Sequence, residues 1–342
     1  MRMKHFLVAF MLLPALLFGQ SSLIVEKPDV KYPFGQIFTG FRYGFNKDFE
    51  PRAAFEFNQG IIGYYHEISG KVSGKIMFDV TRTTNIYEIT DSLGNLMDIN
   101  YFEGSKYTAF LKMAEIRWNI SERFIFRVGQ LLNTQYLTFN DRFWGYRYID
   151  VTFQEKYRLG NPADFGAQLD IKTGRFLHQF SVVNGEGPFR YQDDNSKFIY
   201  SYNVQYSVTE KVTLKLYADI APDAVNLETS GNKYVGSFFA GYKTDKFRAA
   251  AEFDYVMNYG FEEGRDHYGL SAFASWSFHE RFDLLARYDR LVIELPGNTE
   301  YENYIIGGVQ YVPIEYFTTS LNFRYITSDD LPLVYASFGL KF

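Results

Sequence analysis

Apolar and polar side chains alternate along most of the chain, in stretches of about ten residues that start after Pro33. Every second residue, with the exception of Thr319, is apolar in four particularly regular stretches, which are 165–171, 200–208, 247–255 and 317–325. A period of two is typical of β-strands that have one apolar face and one polar face. Helical spacing is not sustained anywhere, so the pattern predicts an all-β protein.

The connections between these stretches alternate in length. Short turns are predicted near 68–71, 119–122, 173–174, 209–211, 244–246, 279–280 and 313–315. Longer polar segments are predicted at 83–106, 132–162, 185–196, 222–232, 258–266 and 293–301. Short turns at one end and long loops at the other are typical of outer-membrane barrels. We therefore predict a transmembrane antiparallel β-barrel of about 16 strands over residues 34–342, with short periplasmic turns and longer extracellular loops.

The N-terminal residues predict export. Arg2 and Lys4 precede an unbroken apolar run from Phe6 to Phe18, which is typical of a secretory signal peptide. A membrane anchor helix is the alternative, but a spanning helix needs about 20 apolar residues and this run is shorter. We assign residues 1–20 to the signal peptide and residues 21–33 to a short lead.

Aromatic residues are more abundant than an ordinary core requires. The chain contains 28 Tyr and 35 Phe, and aromatic residues make up 19% of it. Membrane barrels use such rings in girdles at the two membrane interfaces. A soluble β-sandwich shares the alternation, but it would expose too many large rings to water. Composition thus favours a barrel in contact with outer-membrane lipid.

The C-terminal strand carries a specific signal. Its apolar face ends on Phe338, Leu340 and the terminal Phe342. These three residues resemble the signature by which outer-membrane proteins are delivered to the barrel assembly machinery. We therefore predict the outer membrane as the location of the protein.

Several kinds of chemistry are absent from the sequence. With no Cys, the chain has no disulfide, no thiolate zinc site and no lipidated cysteine, and its five His lack metal-ligand spacing. The 35 basic and 40 acidic residues provide no basic surface for nucleic acid. We expect no metal, no cofactor and no enzymatic activity. A barrel hydrolase is the alternative, but His178 has no evident Ser or acidic partner.

About 16 strands enclose an aqueous lumen, so the polar face of the strands is expected to line it. The charged residues predicted to line the lumen wall are Arg42, Arg117, Arg127, Asp164, Asp170, Arg248, Glu252, Arg287 and Arg324. Because both signs are present, at most a mild ion preference is expected. The alternative role of each residue is an inter-strand ion pair that stiffens the wall.

The longest connection, residues 132–162, combines aromatic rings with charges. Long loops that have their own apolar content are often functional. We predict that this loop folds into the lumen and constricts it, and the alternative is an extracellular cap packed on itself. The candidate constriction residues are Asp141, Arg142, Arg147, Asp150, Glu155, Lys156 and Arg158.

Three motifs in the middle third of the chain carry a family resemblance. They are residues 143–150 (FWGYRYID), 163–167 (ADFGA) and 181–187 (SVVNGEG). Together they resemble the phosphate-selective porin O and P family, especially its Bacteroidetes members. The resemblance implies a 16-stranded porin, commonly a homotrimer, whose best-known members select anions with arginine and lysine ladders.

The sequence therefore predicts a porin that lets small hydrophilic solutes or ions diffuse passively through the barrel. The alternative is a barrel plugged by its own loops, which would act as a scaffold in secretion or adhesion machinery. The two differ in whether the long loop closes the lumen completely.

Overall fold

A computed structural model describes residues 30–68, 70–90, 96–192, 195–225 and 227–342, and the side chains of 83–105 are outside this description. The predicted signal peptide and most of the lead that follows it lie outside the described residues. None of the helices in the described part of the chain has both the length and the apolar character needed to cross a membrane.

Sixteen strands make up almost all of the described secondary structure. Helices α1 (Asn140–Trp144) and α2 (Phe153–Lys156) lie between β5 and β6, and a 3-10 turn (Tyr259–Phe261) follows β11. The strands are β1 (Val30–Gly44), β2 (Ala53–Ile68), β3 (Val72–Thr90), β4 (Leu96–Asn119), β5 (Phe124–Leu132), β6 (Ala163–Thr173), β7 (Phe176–Val183), β8 (Ile199–Ser207), β9 (Val212–Ala221), β10 (Lys233–Lys243), β11 (Phe247–Met257), β12 (Asp266–His279), β13 (Phe282–Leu295), β14 (Asn298–Ile314), β15 (Phe317–Ile326) and β16 (Leu331–Lys341).

The sheet is a closed antiparallel barrel in which each strand pairs with its neighbours in sequence and β1 pairs with β16. This confirms the predicted fold and strand number. Closure satisfies the backbone groups that an open sheet edge would leave exposed, as a membrane-spanning sheet requires. At the seam, the Gly35 N–H donates to the Phe342 carbonyl over 2.8 Å, and the Phe342 N–H donates back over 3.0 Å.

The alternation in sequence becomes two faces of the wall. In β11, Phe247 and Phe253 are 40% and 47% exposed on the outer face, whereas Glu252 and Asp254 are 5% and 0% exposed on the inner face. The terminal Phe338, Leu340 and Phe342 also lie on the outer face. Large apolar side chains on the outside are stable only if lipid surrounds them.

Two of the predicted long segments are mostly strand. β3 and β4 continue past the barrel as a hairpin, with Ile86 paired to Tyr101, so the prediction of a loop at 83–106 is wrong. The predicted loop at 293–301 is also wrong, since Pro296 and Gly297 form a two-residue turn in which Gly297 has a φ of +86°. Their polar composition led to the prediction of loops. Both faces of a hairpin that extends beyond the membrane contact water, so such a hairpin does not need alternating apolar residues. The first strand also begins at Val30, four residues before the predicted start of the barrel.

Candidate pore constriction

The connection between β5 and β6, residues 133–162, lies inside the barrel and is called the inner loop below. Its ends meet, because the Asn133 N–H donates to the Pro162 carbonyl over 3.0 Å. Its aromatic side chains are almost fully buried, with Trp144 1% exposed and Phe153 0% exposed. They pack on inward-facing apolar residues of β10 to β14, which are Phe239, Val256, Phe273, Leu285, Leu291 and Ile306. The inner loop is therefore packed against one side of the lumen.

Two wall glycines provide the space for this packing. A Cβ atom at Gly241 would lie 2.5 Å from the Phe143 ring, and one at Gly269 would lie 2.1 Å from the Arg290 carbonyl oxygen and 2.7 Å from the Phe153 ring. These contacts are far shorter than van der Waals distance, so only glycine allows the two rings to reach the wall.

We expect Gly241→Leu to loosen the inner loop, because overpacking of a filled site costs about 1–3 kcal/mol. Amide hydrogen exchange over residues 139–148 should become faster. Gly307→Leu is the matched control, since an added Cβ there meets no heavy atom within 4 Å. Equal exchange rates in the two variants would contradict this account of the docking.

Three wall arginines hold the backbone of the inner loop. Arg248 donates from Nη1 to the Trp144 carbonyl over 2.7 Å, and Arg324 donates from Nη2 to the Ile149 carbonyl over 2.5 Å. Arg287 donates to the Val151 carbonyl and also forms an ion pair with Asp289 over 2.6 Å. The structure thus places these predicted wall residues against the loop, where they fix its position.

Buried amides connect the inner loop to a pair of wall carboxylates. Gln154 donates from Nε2 to Glu252 over 2.8 Å and to Asp254 over 3.0 Å. Asn140 donates to the same Glu252 oxygen over 2.7 Å. Since buried polar groups are costly unless they are hydrogen-bonded, these bonds favour one docked position of the loop.

Arg147 connects the inner loop to the opposite wall. Its guanidinium binds Asp141 over 2.7 Å and Glu155 over 2.6 Å within the loop. Its Nε also donates to Gln59 of β2 over 2.9 Å. Gln59 in turn donates to Asp79 of β3 over 2.6 Å, and Lys112 of β4 forms an ion pair with the same carboxylate. These contacts, called the Arg147 bridge below, cross the lumen from the inner loop to the wall formed by β2 to β4.

Nearby cations control the acidity of two inner-loop carboxyls, Glu155 and Asp150. Burial alone would raise the pKa of Glu155, but the Arg147 guanidinium outweighs this effect and holds that pKa below its ordinary value of 4.5. Burial would also raise the pKa of Asp150, but the positive charges of Arg324 and Lys156 outweigh burial and hold that pKa below its ordinary value of 3.8. Both carboxyls therefore stay ionised at neutral pH.

Three cations lie on the periplasmic side of the bridge, near the turns that begin β3 and β5. Arg127 is neutralised by Glu115 over 3.1 Å and by Asp170 over 3.0 Å. Arg142 of the inner loop is exposed to the lumen, and its pKa is lowered by partial burial and by the nearby charge of Arg127. Lys75 lies near both arginines. In the described part of the chain, neither Lys75 nor Arg142 forms a salt bridge with a carboxylate.

The remaining predicted residues have mixed surroundings. Arg42 forms an ion pair with Glu56 over 2.5 Å, and Arg117 donates to Asn119 over 3.0 Å. Lys156 lies 4.0 Å from the centre of the Tyr304 ring. Arg158 is exposed and has a φ of +54°.

The second and third sequence motifs meet at the base of the inner loop. Asp164 accepts hydrogen bonds from the backbone N–H groups of Gly185 (2.8 Å) and Gly187 (3.2 Å). Asn161 donates to the Gly185 carbonyl over 3.1 Å. The second and third motifs therefore fix the point where the inner loop, which contains the first motif, returns to the wall.

Sequence reasoning missed Gln59 and Lys112. The pairing of β3 with β4 shifts register next to Lys112, where Met77 faces Met113 but Phe78 faces Leu111. Such a bulge turns a side chain to the other face, whereas strict alternation counted back from Glu115 would place Lys112 on the outside. A lysine among apolar neighbours in 109–114 was the one available signal.

The described residues contain no group of three or more His, Asp or Glu that could hold a metal ion. His178 lies on the outer wall, where its Nδ1 is 2.8 Å from the Tyr202 hydroxyl and its ring stacks on Phe176. This column of rings is typical of packing at a membrane interface.

The barrel is similar in fold to solved porins. OmpF of Salmonella typhi in complex with daunomycin has a TM-score of 0.66 at 10% identity, with 91% of this chain and 97% of that chain covered. OmpT of Vibrio cholerae, folded in vitro and in its trimer form, has a TM-score of 0.59 at 9% identity, with coverage of 92% and 100%. A porin refined at 1.8 Å resolution has a TM-score of 0.57 at 12% identity, with the same coverage. A search of curated proteins found no match.

The sequence also matches a family model. The family is described as "Putative beta-barrel porin-2, OmpL-like", and its model matches residues 158–332, which are 175 of the 342 residues. The matched region runs from the end of the inner loop to the start of β16 and so covers the wall on which the loop packs. The chain therefore belongs to the OmpL-like beta-barrel porin-2 family and is a porin-type barrel of the outer membrane.

Proposed function

We propose that the protein is a non-enzymatic diffusion channel for small hydrophilic solutes, and that its narrow passage favours anions. The passage lies between the inner loop and the wall formed by β2 to β6. The observation that carries the proposal is the position of Arg142, an exposed loop cation near Lys75, since neither of the two forms a salt bridge with a carboxylate among the described residues.

The acids near the passage are already engaged. Glu115 and Asp170 bind Arg127, while Asp141 and Glu155 bind Arg147. Charges at the narrowest section of a channel set its ion selectivity, and paired charges contribute less to the field than unpaired ones. At the passage, these two cations, which form no salt bridge in the described residues, therefore matter more for ion selectivity than the net charge of −5 of the whole chain.

The test is the reversal potential of the refolded protein in a planar bilayer under a chloride salt gradient. The sign should indicate anion preference in the wild type. Lys75→Glu combined with Arg142→Glu should reverse the sign, because two positive charges at the passage become negative. Arg281→Glu is the control, since Arg281 is exposed in the turn between β12 and β13, and salt screens charges beyond about 8–10 Å.

A cation preference in the wild type would contradict the proposal, and so would an unchanged sign in the double variant. Replacing chloride with phosphate extends the test to the resemblance noted in the sequence. We propose that phosphate enters the passage, and a current with chloride but none with phosphate would reject phosphate as a solute.

A closed scaffold is the second candidate function, and the Arg147 bridge is the observation that favours it. If the bridge seals the lumen, the folded barrel conducts no ions at all. Stable current steps in the bilayer would reject the scaffold, whereas silence from verified folded barrels would support it.

We further propose that residues 1–20 direct export, that Phe338, Leu340 and Phe342 are read by the barrel assembly machinery, and that the barrel forms a homotrimer. The exposed rings of the last strand support the second point. The trimer is supported by the similarity to OmpT in its trimer form. An outer surface of small residues, in which Ala240 pairs with Ala251 and Ala249 with Ala274, would allow close subunit packing.

A further inference from the structure

Glu252 and Asp254 form a pair of almost fully buried carboxylates where the inner loop docks on the wall. They lie two residues apart in β11, so both side chains point to the inner face. Gln154 of the inner loop donates from one nitrogen to both of them. Neither carboxylate forms a salt bridge with a cation in the described part of the chain. Two like charges are therefore held side by side and away from water.

The charges that face the pair do not cancel it. Lys215 of β9 lies nearby, but its ammonium group donates to the Gln135 carbonyl of the inner loop. Arg287 and Asp289 of β13 also face the pair, and they neutralise each other over 2.6 Å. The neighbouring strands β10 and β12 present hydroxyl groups at the paired positions, those of Ser237 and Ser271. Two carboxylates and one ammonium group thus leave a single negative charge.

The polar groups around the pair are short of hydrogen-bond donors. Among the described residues, no group donates to the buried side-chain oxygens of Gln135, Asn140 and Gln154, although the nitrogens of the same amides donate to the pair. The buried Ser271 hydroxyl, opposite Glu252 in the sheet, also has no partner there. Buried polar atoms are rarely left without a partner.

A proton on the pair supplies a donor that this set lacks. Asn140 donates to Glu252 over 2.7 Å when that carboxyl is ionised. Rotation of the Asn140 amide by half a turn puts its oxygen in the place of its nitrogen. A protonated Glu252 can then donate to that oxygen over about the same distance, so the docked loop accommodates the neutral carboxyl.

We propose that docking of the inner loop takes up one proton, which the Glu252 and Asp254 pair holds, so that the loop is held firmly in acid and loosened in base. The inference deepens the proposed function, on which it rests, by naming how the same loop is regulated. Two carboxylates that share a buried site do not both ionise readily. When the loop leaves the wall, the pair faces the water of the lumen and both groups ionise. The single negative charge of the docked group sets the number of protons at one.

The sign of the pH dependence follows from this uptake. A group that binds a proton more tightly in the docked state stabilises that state at low pH, and the stabilisation is lost as pH rises. Uptake of one proton changes the docking equilibrium by at most about tenfold per pH unit. Release of a proton from Lys215 on docking would give a slope of the opposite sign. Glu155 and Asp150 add no slope near neutral pH, because both stay ionised there.

Amide hydrogen exchange over residues 139–157 measures docking without any current. Protection factors correct for the intrinsic effect of pH on exchange. In the wild type they should fall as pH rises from about 5 to about 8, by up to about tenfold per pH unit. Heat-modifiable electrophoresis verifies that each sample is folded.

Variants locate the proton. Asp254→Asn puts a neutral group of similar shape beside one remaining carboxylate, so it should remove the slope and keep at about pH 8 the protection that the wild type has at about pH 5. Glu252→Gln should do the same and serves if the first variant folds poorly. Asp283→Asn is the matched control, because this wall carboxylate of β13 accepts from the Tyr146 hydroxyl of the inner loop over 3.1 Å. It should keep the wild-type slope.

A flat profile or a slope of the opposite sign in the wild type would overturn the proposal. So would a slope that persists in both Asp254→Asn and Glu252→Gln, or one that also disappears in Asp283→Asn. Loss of the slope in the first two variants alone would establish the proton site. A barrel that shows the slope but conducts no ions would keep the site and reject the diffusion channel, whereas current steps with a flat profile would do the reverse, so the two failures are distinguishable.

Discussion

Deletion of residues 135–160 is expected to raise the single-channel conductance about threefold or more, because the inner loop occupies much of the lumen and the narrowest section limits ion flow. The structure shows how to make the deletion. Asn133 and Pro162 are joined by a 3.0 Å backbone hydrogen bond, so Thr134 can be connected to Asn161 by two glycines with little strain. Conductance in a planar bilayer is the measurement.

The deletion exposes Phe239, Phe273 and Ile306 to the lumen, which costs stability. Folding must therefore be verified by heat-modifiable electrophoresis. Gly241→Leu provides a milder variant with the loop still present, and it should raise conductance less than the deletion. A folded deletion variant with wild-type conductance would show that the loop does not limit the passage.

Arg147→Met should release the inner loop from the opposite wall. The change leaves Asp141 and Glu155 without their shared cation, and loss of one partner of a buried ion pair costs about 3–5 kcal/mol. We expect faster amide exchange over residues 139–157 and larger, noisier current steps. Gln59→Leu removes the 2.9 Å hydrogen bond that Arg147 donates to Gln59 but keeps both ion pairs of Arg147. It should therefore also speed up amide exchange in the loop, but by less than Arg147→Met.

Two controls separate the bridge from charge removal in general. Arg265→Met removes an exposed ion pair with Glu262, and such surface pairs contribute only about 0–1 kcal/mol. The triple variant Arg147→Met, Asp141→Asn and Glu155→Gln should exchange its loop amides more slowly than Arg147→Met alone. The reason is that the triple variant leaves neither of the two carboxylates buried without a cation. If Arg147→Met and Arg265→Met behave alike, the bridge does not hold the loop.

The lowered pKa of Glu155 sets the pH dependence of the bridge. A carboxylate whose pKa is lowered by folding contributes stability above its ordinary pKa, and this contribution is lost as pH falls through the lowered value. The part of the loop protection that depends on Glu155, measured as the difference in amide exchange between the wild type and Glu155→Gln, should therefore be constant from about pH 7 to about pH 5 and decrease only in stronger acid.

Alternation along the chain was sufficient to predict the barrel. Each side chain of a strand faces either lipid or the lumen. Sequences such as 247–255 therefore alternate between apolar and polar residues. The short turns were also predictable, because they interrupt the alternation at regular intervals. The polar hairpin ends of β3 to β4 and β13 to β14 were not, because outside the membrane neither face of a strand needs to be apolar.

The inner loop shows why the site was harder to predict than the fold. Its aromatic content indicated that it packs somewhere, but the same composition would suit a cap outside the barrel. Its surroundings depend on Gly241, Gly269 and the arginines of β11, β13 and β15, which lie about 100 or more positions away along the chain.

The sequence by itself determined that this protein is a transmembrane barrel of about 16 strands with a mixed polar lumen, because contact with lipid requires an apolar side chain at every second position of each strand. Only the tertiary structure decided which charged residues form salt bridges and which do not. Arg127, Arg147 and Arg287 are neutralised by carboxylates, whereas Lys75 and Arg142 form no salt bridge with any carboxylate in the described residues. The physical reason is that ion pairing falls steeply with distance, and those distances exist only after barrel closure and loop docking bring remote residues together.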